Sequence, residues 1–297
     1  MDRREFGRLV ASLRQDLEWT QFNLHEYAQI DLAVVSQIER GVKRHFEPEL
    51  LVKLADAFQL TTWERREFFF AAAGVATGGI VRPQSAALAS ETLDANQALA
   101  KMLGLLERLQ VPAFLLDVYS DVVAANYMAF SFFQVPMTIV QNAASTPGGF
   151  NIIRLVFGKE LTARTHFVTN WEQAAMNTMR FFREASLRYR MKPYFQYLIK
   201  TFRNPAEYPL FDRFWKMVSS TEQDHAANFD LFSFDHDTFG HLAYSSATTI
   251  CLTAYGELLL IQYLPVDEVT KAVFDRLLAQ SGTGVIRYGP WPHKPLP

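Results

Sequence analysis

Residues 20–41 read TQFNLHEYAQIDLAVVSQIERG, and this stretch decides the fold of the N-terminal quarter of the chain. Thr20 has the side chain of a helix N-cap, so Gln21–Gln29 is predicted helical, with Leu24 and Ala28 turned inward. Asp31 caps a second short helix from Leu32 to Arg40. Its inward residues are Val35 and Ile38, and Gly41 follows as a left-handed stop. Two short helices separated by a turn of about three residues form a helix-turn-helix. In that geometry the second helix enters the major groove and shows its N-terminal side chains to base edges.

Working outward, the flanking segments supply a core for this pair. Residues 5–15 put Phe6, Leu9, Val10 and Leu13 on one helical face. Pro48 suits the first turn of a fourth helix carrying Leu51, Leu54, Ala55 and Phe58. Thr61-Thr62-Trp63-Glu64 is a capping box that opens a fifth helix, running to Ala73 and stopped by Gly74. The expectation is an all-α five-helix domain over residues 1–74.

Thr20-Gln21, Leu24, Ala28, Ile30-Asp31 and Ser36-Gln37-Ile38-Glu39-Arg40-Gly41 resemble the Cro/phage-repressor (XRE) family of helix-turn-helix regulators. The resemblance covers residues 5–73. It implies that Gln21 touches a phosphate, that Leu32, Ala33, Val34, Ser36 and Gln37 face the groove, and that Arg40, Lys43 and Arg44 lie near the DNA backbone. Two positions depart from the pattern. His25 stands where the family has a small residue and is expected to crowd the helix contact. Gln29 stands where the family has glycine in a left-handed turn, a conformation that costs of order 1 kcal/mol for other residues.

The reading face itself is mostly apolar. Leu32, Ala33 and Val34 offer contact to thymine methyl groups, and only Gln37 has the bidentate group suited to adenine. Residues 1–74 hold 10 Lys+Arg against 12 Asp+Glu, a net charge of −2. Non-specific affinity scales with the phosphates neutralised, so one copy would hold double-stranded DNA loosely. A homodimer would double the contacts and span two half-sites. The alternative is a bundle that contacts another protein and not DNA.

The whole chain has 297 residues, enough for about two domains of roughly 100–200 residues each. Apolar residues make up 49%, including 25 Phe, so a thick aromatic core or an apolar pocket is expected. Cys251 is the single cysteine, which excludes an internal disulfide and suits a reducing compartment. The first residues are charged and amphipathic, unlike a signal peptide. The uncharged run Phe68–Val81 is shorter than the roughly 20 residues of a membrane span. A cytoplasmic protein with no membrane span is expected.

From Gly74 to about Ser90 the composition turns to Gly, Ala, Thr and Ser with Pro83, so residues 75–93 are read as a linker. A helix over 94–109 carries Leu99, Met102, Leu103, Leu106 and Leu109 on one side, suited to packing on the next domain or to pairing subunits. Pro112–Tyr119 and Val122–Asn126 then read as a β-hairpin turning at Ser120-Asp121. Residues 127–227 read mostly helical. Strands return over Phe229–Phe234, Gly240–Leu252 and Glu257–Leu264. The fold class is therefore α+β: the helical N-terminal domain, then, over 94–280, an antiparallel five-stranded sheet with a helical insert. That order is PAS-like. Residues 281–297 read as a Gly/Pro-rich tail.

Val111-Pro112-Ala113, Asp121–Asn126, Asn151–Phe157, Trp171-Glu172 with Arg180, Phe211–Trp215, Phe234–Gly240 and Tyr263-Leu264-Pro265 together resemble the MmyB-like ligand-binding domain. The resemblance covers residues 95–280. His236-Asp237 departs from it, since the family shows His-Pro there. It implies a PAS-like sensor of a small, fatty-acid-like ligand. Independently, ligand pockets are mostly apolar with a few placed polar groups, and Phe130, Phe133 and Phe157 lie among the rings of the insert. A carboxylate head group would be met by an Arg fork, for which Arg154 and Arg180 are the candidates. Each of those arginines has a second reading, as a surface side chain or a partner of Glu172 or Glu184. Asn126, at the end of a strand, is read either as a ligand contact or as a cap.

No catalytic constellation is visible, so no enzyme is expected. Asp235-His236-Asp237 with His241 lacks metal-ligand spacing. Gly78-Gly79 lacks the Lys-Ser/Thr of a phosphate loop. No cofactor is expected beyond a bound acyl ligand.

Overall fold

The computed structural model describes residues 1–74, 94–135, 137–143, 149–159, 171–220, 231–236, 238–253 and 255–296. The expected linker, 75–93, lies outside the described residues.

Helices α1 (Arg3–Asp16), α2 (Gln21–Ala28), α3 (Leu32–Glu39), α4 (Pro48–Ala57) and α5 (Thr62–Ala72) form the N-terminal unit. Their starts are written in the sequence. Asp2 with Glu5, Thr20 with Asn23, and Thr61 with Glu64 make reciprocal capping boxes, and Asp31 caps α3. Phe6, Leu9, Val10, Leu13, Leu24, Val35, Ile38, Leu54, Phe58 and Phe68 close one core. Gly7 allows α1 to cross α3 closely, since a Cβ there would lie 2.4 Å from the Ile38 carbonyl oxygen. Gly41 has φ +70° and passes so near Arg4 that a side chain would collide with its backbone.

The two departures from the expected pattern in residues 20–41 are accommodated. Gln29 adopts the left-handed conformation (φ 52°), and its amide nitrogen donates to the Glu26 carbonyl at 2.6 Å. His25 does not crowd the helix pair. Its ring is half-buried, and Nδ1–H donates to the Ile30 carbonyl at 2.6 Å, fastening the turn.

The C-terminal unit begins with α6 (Ala95–Arg108), capped by Asp94 and Gln97. β1 (Ala113–Asp117) and β2 (Val122–Asn126) form the hairpin. Helices α7 (Tyr127–Phe132), α8 (Met137–Ala143), α9 (Ile152–Phe157) and α10 (Trp171–Ser186) follow. A 3₁₀ turn (Leu187–Tyr189) then leads to α11 (Pro193–Phe202) and α12 (Phe211–Ser220). β3 (Leu231–His236), β4 (Gly240–Thr253) and β5 (Gly256–Pro265) form the meander. The chain finishes with α13 (Glu268–Ser281) and β6 (Val285–Arg287).

The sheet order is β3-β4-β5-β1-β2-β6, with every neighbouring pair antiparallel. This corrects the expected five strands to six. The sixth lies in the segment read as a tail, where Ala125 pairs with Ile286 on the free edge of β2. β1 and β2 are buried on both faces, because α6 covers one side and the insert the other. Leu99, Met102 and Leu106 of α6 pack on Leu115, Val123 and Leu260. Phe130 and Phe150 pack on Phe114 and Val122 from the opposite side. The insert has its own aromatic core of Phe157, Phe182, Phe195, Phe202, Phe211, Phe214 and Trp215.

Candidate functional site

On α3, the side chains suited to a DNA groove remain open. Leu32, Ala33, Gln37 and Arg40 are exposed, and Val34 and Ser36 are half-buried. Arg44 is exposed beyond the helix, while Lys43 is half-buried and 3.5 Å from Glu47, which offsets its charge. Arg40 Nε donates to the Ser36 carbonyl at 3.2 Å. Gln21 is tied down: its amide donates to Glu39 Oε2 at 2.9 Å. Glu39 in turn receives a forked pair from Arg14, at 2.6 and 3.0 Å. Helices α1, α2 and α3 are thus joined through Glu39.

The sensor residues named from sequence do not converge. Asn126 is buried and fully engaged by the backbone. Its Oδ1 accepts from Ala129 and Ala113 at 3.1 Å, and its Nδ2 donates to Val111 at 2.7 Å. It is the cap of α7 and the clasp between β1 and the chain entering it. Phe130 and Phe133 lie against the sheet, whereas Phe157 belongs to the separate core of the insert. Arg154 Nη1 donates to the Gly149 carbonyl at 3.0 Å. Arg180 is buried and donates to Asn177 Oδ1 at 3.2 Å. Glu172, one suggested partner, meets Arg213 instead, at 3.5 Å.

The strongest polar construction lies where the N-terminal unit meets the insert. Glu64, fully buried, is the third residue of α5 and closes its capping box. It also receives Arg183 of α10 through a fork at 3.0 and 2.9 Å, and Arg190 through a further short bond. Both arginines are buried and stack on Trp215, with guanidinium carbons 5.0 and 5.1 Å from a ring centre. Burial pushes the Glu64 carboxyl up, but the two guanidiniums outweigh it and hold the pKa down at about 2. Nearby, Arg188 pairs with Glu67 at 2.8 Å, Ser12 donates to the Arg190 carbonyl at 3.0 Å, and Arg203 donates to the Asp16 carbonyl at 2.9 Å. Leu187 completes the contact by inserting into the core of the N-terminal unit.

Beside this junction is a pocket of about 210 Å³. Trp63, Arg66 and Glu67 of α5 form one wall, and Phe181, Glu184 and Ala185 of α10 with Arg188 and Tyr189 form another. Ile250, Leu252, Glu257 and Leu259 close it from β4 and β5. Sequence reasoning named Glu184 only as a possible partner of arginine and missed the pocket, since its walls come from segments far apart in the chain.

Residues 97–277 match the family model of the MmyB-like transcription regulator ligand binding domain, which is more than half of the chain. The chain belongs to this MmyB-like family. No curated protein matches it. The MmyB-like match begins in α6 and ends in α13, so it takes in five of the six strands and leaves β6 outside. It also takes in Arg183 and Arg190, the MmyB-like domain's half of the junction. Among the described residues no helix is long and apolar enough to cross a membrane. His241, one of the residues considered for a metal, bonds Asp235 at 2.9 Å on the surface.

Proposed function

We propose that this MmyB-like chain is a ligand-responsive transcription regulator that binds double-stranded DNA through α3. One observation carries the reading. The sensor grips the N-terminal unit by α1 and α5, through Ser12, Asp16, Glu64 and Glu67, and leaves the outer face of α3 open. A recognition helix has to reach the groove, and here the contacts that hold the unit leave its outer face uncovered. The two α2–α3 helices and the left-handed turn at Gln29 support the XRE-type reading.

The sheet order, with β1 between β2 and β5 and β4-β3 outside β5, supports a PAS-like sensor. We assign it a fatty-acid-like ligand in the apolar interior beside the sheet, where Phe130 and Phe133 lie; Phe157, in the separate core of the insert, does not reach it. Arg154 or Arg180 would meet the head group after leaving its present partner. The regulator acts as a cytoplasmic homodimer, because one N-terminal unit carries a net charge of −2 and holds few phosphates.

A shift assay of the full chain against random-sequence DNA tests the DNA-binding claim. Enrichment of a palindromic site is expected, and no enrichment at low salt would favour a helix-turn-helix that contacts protein. Organic extraction and mass spectrometry test the ligand. An acyl chain is expected, and a nucleotide or flavin in its place would overturn the assignment.

A further inference from the structure

The geometry points to a second small-molecule site, the pocket between α5 and the sensor, and to an organic cation as its occupant: a primary amine or amidine carrying a short aromatic or branched-alkyl body. The apolar walls are Val118, Phe181, Ala185 and Leu259, and the lip is apolar from both sides. Trp63 from the N-terminal unit is 40% exposed there, and Ile250 and Leu252 from β4 are 56% and 48% exposed. Large side chains held open to water around a concavity favour a ligand with an apolar body.

The charges choose its head group. Glu67 is already served by Arg188 at 2.8 Å and Arg66 at 3.7 Å, and Arg66 also stacks over Trp63, 3.9 Å from the ring centre. Both cations of the pocket thus have Glu67 as a partner. Glu184 is left: its Oε1 is buried and has no hydrogen-bond partner among the described residues. Glu257 lies across the pocket, receiving the Tyr189 hydroxyl. An orphaned buried acceptor is costly and calls for an N–H donor. An ammonium or amidinium donates to the orphaned oxygen and forms a charge-assisted pair once Glu184 gives up its proton.

The size fits a small cation. An engineered cavity of about 150 Å³ holds benzene, so about 210 Å³ has room for a ring with a two-carbon ammonium tail. Glu184 also supplies a signature of binding. Its burial, then the like charge of Glu64, push its pKa up to about 8, against the pull of Arg180, Arg183 and Arg66. The free pocket thus holds a neutral acid at pH 7, and a cationic ligand would drive its proton into solvent.

The position gives the site a consequence. A ligand there touches α5 on one side and α10 with its 3₁₀ turn on the other, one residue along from Arg183. It would tighten the junction that orients α3. That regulatory consequence rests on the reading of the chain as a DNA-binding regulator, whereas occupancy of the pocket does not.

Isothermal titration of the full chain with 2-phenylethylamine, 3-phenylpropionate and octanoate tests the proposal. The amine is expected to bind at pH 7 with release of a proton, seen as heat that varies with the buffer's ionisation enthalpy. Affinity should fall roughly tenfold or more in Glu184→Gln, as for loss of a charge-assisted hydrogen bond. It should also fall in Trp63→Ala, which removes the aromatic lip and the ring on which Arg66 stacks. The two acids should not compete with the amine. Absence of amine binding at millimolar concentration, amine binding that both variants leave unchanged, or displacement of the amine by octanoate would overturn the site. Failure of the regulator reading would look different: the amine would bind, and no DNA sequence would be selected.

Discussion

Replacing Glu64 by glutamine should unfasten the N-terminal unit from the sensor. The carboxylate carries two guanidiniums that are buried with it. The magnitude follows from its acidity. Against burial, which raises it, Arg183, Arg190 and the Thr61 backbone bring the Glu64 pKa from its ordinary 4.5 to a net value of about 2. At about 1.4 kcal/mol for each pH unit this amounts to about 3 kcal/mol. Breaking a buried pair from one side costs about 3–5 kcal/mol by general experience, so the two routes agree. The sign for pH is that of a depressed acid. The stabilisation is present above 4.5 and is lost as pH falls through about 2. Urea unfolding at pH 7, followed through Trp215 beside both arginines, should show E64Q less stable by about 3 kcal/mol, or a separate early transition of the N-terminal unit. The exposed pair Arg65–Asp56 is the control, and D56A should cost well under about 1 kcal/mol. An E64Q protein within about 0.5 kcal/mol of the parent, with one transition, would refute the junction as an energetic link.

Leu187→Ala should cost about 2–5 kcal/mol by opening a cavity in the core of the N-terminal unit, although the residue belongs to the sensor; calorimetry should place the loss in the melting of α1–α5. Lys294→Met should free the C-terminal segment, since Lys294 lies 2.5 and 2.8 Å from buried Asp117 and Asp121. Burial, opposed by Lys294 and aided by Asp121, pushes Asp117 up to about 6, so its own contribution to stability falls as pH rises through that value. The melting-temperature deficit of K294M should therefore be larger at pH 8 than at pH 5, and an equal deficit would refute it. Gln37→Ala should lose about 1–3 kcal/mol of sequence discrimination, and Arg44→Ala should lower the salt slope of DNA binding by about one.

The N-terminal unit was legible because its signals are local. Thr20, Asp31 and Thr61 announce helix starts within three residues, and the inward residues recur at helical spacing. The hairpin β1–β2 was legible for the same reason. The signal for α13 is also local: Asp267 caps it, and Val273, Phe274 and Leu277 line its buried face. β6 has no such signal. Three residues after Gly284 become a strand only because β2 offers a free edge. The junction was illegible because Glu64 finds Arg183 and Arg190 across 119 and 126 residues, and no periodicity links them. The residues proposed for an acyl ligand show the limit of composition. An abundance of Phe predicts apolar interiors, yet it does not say that Phe130 and Phe157 belong to different ones. The surprise at Gln29 has a physical reason too, since its side chain bonds the Glu26 carbonyl and offsets part of the strain of the left-handed turn.

In the proposed regulator, ligand occupancy in the sensor changes what α3 does on DNA. The direct measurement is the affinity of the full chain for its selected site, before and after organic removal of the copurifying ligand and again after its return. Coupling between sites is usually worth about 5–150-fold. A reversible change of at least about fivefold is the predicted result, and equal affinity in all three states would contradict the claim.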